Sequence, residues 1–219
     1  MTDIRKQVAI FGGSFDPPTM DHVRLAKTVI AEPTLGIDEV WLTPAYKHPF
    51  DKSMADYMDR VFMCASMSFH DPRIKVSRAE EEAIKYHSVW DEGSTMKLAA
   101  YLRFIYGTDT DFKFVIGLDC ANSFYLWRHH KELLSRESLI VVPREGYEVK
   151  QHAWYTEDTS GRHTFLSNAR IGGLSSTAMR SALHAWVDRT TEPPEVLTKG
   201  LDQTVLDTIV HQDMYLLKQ

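Results

Sequence analysis

Short apolar runs alternate with stretches of helical spacing along most of this chain, and that alternation limits the possible folds more than any other feature. Residues 8–11 (VAIF), 39–43 (EVWLT), 112–116 (FKFVI) and 139–142 (LIVV) read as buried strands, with a shorter one at 74–77. Between and after them, residues 21–31, 56–69, 95–105, 175–187 and 201–210 carry apolar side chains at helical intervals. Strands separated by helices predict a parallel α/β sheet covered on both faces, because each crossover lays its helix back over the sheet. The polar segment 145–163 reads as a loop. With 219 residues, no repeat and no low-complexity run, one domain spanning 1–219 is expected. Ligands of such sheets sit beyond the carboxyl ends of the strands, where the strand order reverses.

The first strand runs into FGGSFDPPTMDH, residues 11–22. Gly12 and Gly13 let the backbone turn sharply and come close to a ligand, with Ser14 and Phe15 following in the turn. The next helix begins near Pro18 to Asp21, and its first amides are unpaired donors at the positive end of the helix dipole. Such an end favours an anion, most often phosphate. Thr19 and His22 stand three residues apart in that first turn, so a hydroxyl and an imidazole can face one ligand. A plain strand–turn–helix link with a capping Thr or Asp is the competing reading. The GxGxxG dinucleotide fingerprint is absent, which gives no support to hydride transfer.

A second stretch of the same character is IGGLSSTAMR, residues 171–180. A helix cap needs one hydroxyl residue. Here Ser175, Ser176 and Thr177 stand together, with Arg180 one turn on. Hydroxyls, free amides and a guanidinium at a helix start form a second polyanion cradle. Two such cradles on one sheet point to a nucleoside triphosphate held from two sides.

These stretches also resemble a known family. GGSFDPPTMDH is similar to the GGTFDPxHxGH element of the nucleotidylyltransferase superfamily, with its (H/T)xGH signature, and LSSTAMR is similar to that superfamily's ISSTxxR. FVIGLDCANSFYLWRHHKELL resembles the IIGxDxxxxxxxW segment of the nicotinate and nicotinamide mononucleotide adenylyltransferases, and LIVVPREGY resembles their strand ending in Arg-x-Gly. PAYKHPFDK, Arg60 and VSRAEEEA lie between them in the family's order, so the resemblance covers nearly the whole chain. The sequence departs from the family pattern in three places. Thr19 replaces the first signature His, Asp21 replaces the signature Gly, and HSVWDEGST (87–95) stands where bacterial members carry Ser-Tyr-Thr. A carboxylate pointing into a triphosphate site would repel it, so Asp21 is expected to point outward or to cap the helix.

The resemblance implies a Rossmann-like fold of nucleotidylyltransferase type. It implies transfer of the adenylyl group of ATP to nicotinate or nicotinamide mononucleotide, giving the NAD-type dinucleotide and pyrophosphate. His22 would donate to the α-phosphate with Thr19 assisting, and Arg180 with Ser175, Ser176 and Thr177 would hold the β- and γ-phosphates. Gly12, Gly13, Ser14 and Phe15 would line the ATP site, with Gly117 and Asp119 at the nucleotide ribose. Lys47, Trp90, Thr95, Trp127 and Arg144 would serve the substrates, with Trp127 stacked on the pyridine ring. Mg²⁺ would ride on the ATP phosphates, since no carboxylate cluster with ligand spacing stands out. Two other readings compete: transfer to another phosphate acceptor such as phosphopantetheine, and a non-catalytic nucleotide sensor. Trp127, the Arg144-x-Gly element and the chain length speak against the first, and the pair of intact cradles against the second.

Composition limits the partners. A formal net charge of −5 supplies no global basic surface for nucleic acid. No apolar run reaches the length of a membrane span, and the first residues have too short an apolar stretch for a signal peptide. Cys64 and Cys120 make neither a disulfide framework nor a zinc site, so a reducing, cytoplasmic setting is expected. The sequence leaves homo-oligomer formation open. His129, His130 and His184 read as surface or capping residues, and the run Glu80-Glu81-Glu82 as a solvated helix face.

Overall fold

The computed structural model describes residues 5–47, 53–86 and 94–216. Six strands form one parallel sheet: β1 (Lys6–Gly13), β2 (Glu39–Pro44), β3 (Ile74–Val76), β4 (Thr110–Gly117), β5 (Ser138–Val142) and β6 (Thr164–Phe165). Their order is β3-β2-β1-β4-β5-β6. The order therefore reverses between β1 and β4, whose carboxyl ends are Gly12-Gly13 and Gly117.

Period-2 alternation divides each central strand between two cores. From β1, Ala9 and Phe11 face one layer and Val8 and Ile10 the other; from β5, Ile140 and Val142 face the first and Leu139 and Val141 the second. The first layer holds α1 (Met20–Ala31), α2 (Tyr57–Met67), α7 (Ser176–Ala185), α8 (Glu195–Gly200) and α9 (Gln203–His211). The second holds α3 (Ala79–Tyr86), α4 (Thr95–Tyr106), α5 (Leu118–Asn122) and α6 (His130–Arg136).

Local chemistry sets the ends of these helices. Asp56 and Asp202 cap α2 and α9 by accepting from Met58 N–H and Thr204 N–H, and Ser175 caps α7 by accepting from Ala178 N–H. Gly107 ends α4 at φ +58, a conformation suited to glycine. The expected stretch 56–69 divides at its end: α2 stops at Met67 and Ser68–His70 tighten into a 3₁₀ turn. Helices α3, α5 and α8 and strand β6 lie outside the runs expected from periodicity, being only two to eight residues long.

The acidic run is not the solvated face the sequence suggested. Glu81 is buried and carries Arg78 (2.6 Å) and Lys85 (2.7 Å), while Glu80 accepts Tyr46 N–H at 3.0 Å. Only Glu82 of the three is exposed, and it accepts from the Tyr101 hydroxyl. His129 does sit at the N-cap of α6, near Glu132. No helix among the described residues is long and apolar enough to cross a membrane.

Candidate active site

Both glycine-bearing stretches lie at the carboxyl edge of the sheet and touch each other. Gly12 is exposed with open space beside its Cα, whereas a Cβ on Gly13 would stand 3.3 Å from the Phe15 ring. Phe15 itself is buried at φ +46, with its ring 5.5 Å from Phe11 and 4.9 Å from His22. The turn is clamped from below by Arg60, which is 1% exposed. Its Nη1 donates to the Ser14 carbonyl (2.8 Å) and its Nε to the Ala55 carbonyl (3.0 Å). Asp16, equally buried, accepts from Ala55 N–H (3.1 Å) and the Tyr215 hydroxyl (2.7 Å).

The start of α7 is bonded directly onto this turn. Ser176 Oγ donates to the Pro17 carbonyl at 2.8 Å, and Arg180 Nη1 donates to the Asp16 carbonyl at 2.6 Å. Arg180 Nη2 donates to Thr177 Oγ1 at 3.2 Å. The N-termini of α1 and α7, where the first amides lack partners within the helix, thus open on the same edge of the sheet.

His22 has a fixed proton. The Thr19 backbone N–H donates to His22 Nδ1 at 2.8 Å. An amide can only donate, so Nδ1 carries the lone pair and Nε2 carries the hydrogen. Burial, aided by the Arg144 charge, lowers the imidazole to about 4, so near pH 7 it is a neutral Nε2–H donor. Thr19 stands behind it rather than beside a ligand. It is fully buried, with its hydroxyl 2.9 Å from His22 Nδ1 and 3.4 Å from the Leu174 carbonyl. The expectation that its hydroxyl faces the phosphates is corrected accordingly: the side chain closes the first turn of α1 against the second loop and leaves no surface for a ligand.

Asp21 is also placed differently from expectation. It points neither outward nor into a cap but inward, 4% exposed, against the loop before α7. There Oδ2 accepts Leu174 N–H at 2.8 Å, and Oδ1 accepts from Arg24 at 2.6 Å. The repulsion that argued for an outward carboxylate is offset by this guanidinium and by the amide.

Asp119 and Arg144 form an ion pair at 3.0 Å, joining the ends of β4 and β5. Gly117 makes room for it, since a Cβ there would collide with Asp119 Oδ1. Arg144 Nη2 also reaches the Leu174 carbonyl at 3.3 Å, so it closes the site between β5 and α7. Trp127 is half-buried, stacked obliquely on Phe124 at 4.9 Å, and Phe124 in turn packs on Trp154. Thr95 opens α4, whose Leu98, Ala99 and Leu102 pack in the same core layer as Phe124. Lys47 is exposed at the end of the β2 loop, where its backbone N–H and that of Tyr46 are held by Glu80, a carboxyl that burial pushes up to about 7. Trp90 lies outside the described residues.

Sequence reasoning missed Asp16, Tyr215 and the clamp role of Arg60. Arg60 did leave a signal: a charge on the stripe of α2 that carries Met63, Cys64 and Met67, all fully buried. Tyr215 left none, because its partner is 199 residues away. No group of three or more His, Cys, Asp or Glu able to hold a metal is found among the described residues.

Known proteins resemble this chain in sequence and fold. The cytidylyltransferase-like family model matches residues 10–182. A probable nicotinate-nucleotide adenylyltransferase of Myxococcus xanthus is 35% identical over 145 residues, covering 64% of this chain and 70% of its own length. One from Anaeromyxobacter dehalogenans is 31% identical over 142 residues, covering 65% and 73%. In solved structures, the fold is that of the Plasmodium falciparum nicotinic acid mononucleotide adenylyltransferase complexed with NaAD. The two match at a TM-score of 0.71 and 19% identity, over 96% of this chain and 98% of that one. With both signature stretches inside the matched region and a relative above 30% identity covered over most of its length, this chain belongs to the cytidylyltransferase-like family, among its nicotinate-nucleotide adenylyltransferases.

Proposed function

We propose that the chain transfers the adenylyl group of ATP to a pyridine mononucleotide, with nicotinate mononucleotide the acceptor its relatives' names point to and nicotinamide mononucleotide the close variant. The observation that carries the reading is the convergence of two helix N-termini on one sheet edge, with the neutral imidazole of His22 in the first turn of one of them. A 5′-phosphate oxygen of the mononucleotide attacks the α-phosphorus of ATP; the new P–O bond forms as the bond to the β-phosphate bridge oxygen breaks, and pyrophosphate leaves. The attacking phosphate is already ionised near neutral pH, so no general base is required. Catalysis then lies in alignment and charge stabilisation.

In this reading, His22 donates its Nε2–H to the α-phosphate, where negative charge builds. Thr19 acts through His22 by fixing its tautomer. The free amides of α7, with Ser175, Ser176, Thr177 and Arg180, hold the departing pyrophosphate. Mg²⁺ enters as part of the Mg·ATP substrate. Three acidic groups of the site are already committed: Asp16 to Tyr215, Asp21 to Leu174 and Arg24, and Asp119 to Arg144. Trp127 offers an indole face to the pyridine ring. The whole described chain acts as one catalytic domain.

The test is direct. Purified protein is incubated with ATP, Mg²⁺ and each mononucleotide in parallel, and pyrophosphate and dinucleotide are measured. Equimolar formation of both supports the reading; ATP binding without turnover on either acceptor removes it.

A further inference from the structure

The backbone of Leu174 is a junction. Its N–H donates to Asp21 Oδ2 at 2.8 Å, while its carbonyl accepts from Thr19 Oγ1 at 3.4 Å and Arg144 Nη2 at 3.3 Å. The next residue, Ser175, is the N-cap of α7. The two peptide units that flank Leu174 are thus both anchored, which fixes how the chain enters the first turn of α7. On the other side, Asp21 is the second residue of α1 and the immediate neighbour of His22. Its carboxylate is buried, and it lies flat against Gly172, where a Cβ would be 3.2 Å from Oδ2. Asp21 stands at the position where the sequence signature has glycine, which has no side chain to make this contact.

We propose that Asp21 is a positioning residue: its carboxylate ties residues 172–174 to the first turn of α1 and so sets the spacing between the two phosphate cradles. The role concerns the adenylyl-transfer site and rests on the reading above. The carboxylate suits it for three reasons. It is rigidly placed in the first helical turn, where negative charge complements the helix dipole. Arg24 neutralises it from the solvent side, so little net repulsion reaches a bound triphosphate. It also gives Leu174 N–H a charged acceptor, which makes a stronger hold than a neutral one.

The experiment compares Asp21→Ala, Asp21→Gly and Asp21→Asn with the unaltered protein. Three quantities are read: amide hydrogen exchange at Leu174, calorimetric affinity for Mg·ATP and for pyrophosphate, and KM for each substrate. Asp21→Ala and Asp21→Gly should exchange Leu174 faster and bind Mg·ATP and pyrophosphate about tenfold more weakly, the scale of one charge-assisted hydrogen bond. KM for the mononucleotide should stay within about twofold, and the amide oxygen of Asp21→Asn should restore most of the loss, since it accepts the same N–H. Gly172→Ala approaches the same contact from the other side, with residue 21 intact, and should reproduce the ATP-specific weakening even if the residue 21 variants fold poorly.

Unchanged Leu174 exchange and ATP affinity in Asp21→Ala would overturn the proposal. So would a uniform loss toward both substrates that Asn does not rescue, since that marks a merely structural residue. If the unaltered protein binds ATP but forms no dinucleotide, the adenylyl-transfer reading fails separately, while exchange and ATP affinity still decide the role of Asp21.

Discussion

Replacing His22 with alanine removes the imidazole N–H that the proposed mechanism sets at the α-phosphate. The magnitude follows from how that donor is prepared. Thr19 N–H occupies Nδ1 at 2.8 Å, so the Nε2–H is aimed before substrate arrives. Loss of one such pre-aimed donor to transition-state charge costs about 10²–10³ in kcat, or about 2.7–4 kcal/mol. The folded-state value of about 4 also makes the pH dependence specific. The ring is neutral throughout the working range, so kcat/KM, corrected for ionisation of the substrate phosphates, should be flat from about pH 5.5 to 8. Stability carries the matching signature. The unfolded imidazole takes up its proton near 6.5 and the folded one only near 4, so a contribution of about 3 kcal/mol is fully present above pH 6.5 and is lost as pH falls toward 4. His22→Ala should flatten that part of the stability curve while sparing the fold. His22→Gln, which places an amide N–H near Nε2 and does not titrate, should keep part of the rate. Steady-state kinetics across pH, with thermal melts on the same samples, test all of this. A turnover in His22→Ala within about threefold of the unaltered protein, or a rate that falls between pH 6.5 and 8 with the titration of an imidazolium, would refute the reasoning.

Three further outcomes are expected. Arg180→Lys should weaken pyrophosphate-dependent cleavage of the dinucleotide clearly and Arg180→Ala more, because an ammonium keeps the charge but cannot span both the Asp16 carbonyl and Thr177 as the guanidinium does; wild-type pyrophosphate affinity in both would assign Arg180 to the fold alone. Trp127→Ala should raise KM for the mononucleotide by the equivalent of about 1–3 kcal/mol of ring stacking and leave KM for ATP near its original value; a drop in melting temperature with both KM values unchanged would make it a core residue against Phe124. Gly117→Ala should displace the Asp119 carboxylate, break its pair with Arg144 and depress kcat/KM in a protein that still folds, measured beside its circular dichroism spectrum; full activity would show that the pair is dispensable.

The sequence by itself determined the elements whose signal is local. Strands β1, β2, β4 and β5 bury most of their central residues on both faces, so they appear as largely apolar runs between turn residues. Helices α1, α2, α4, α7 and α9 are long enough for an apolar stripe to repeat. The two cradles were legible for the same reason, since glycine turns and capping hydroxyls act within a few residues of themselves. What only the tertiary structure decided is which atoms remain for a ligand once the elements have packed. Thr19 turned from a contact into a support because the α7 loop covers it, and Asp21 turned inward because Leu174 N–H and Arg24 give its charge partners. Asp119 gained Arg144 across two strand ends, and Asp16 gained Tyr215 from the far end of the chain. Hydrogen bonds of this kind depend on distances of about 3 Å between residues far apart in sequence, and no periodicity along the chain records them.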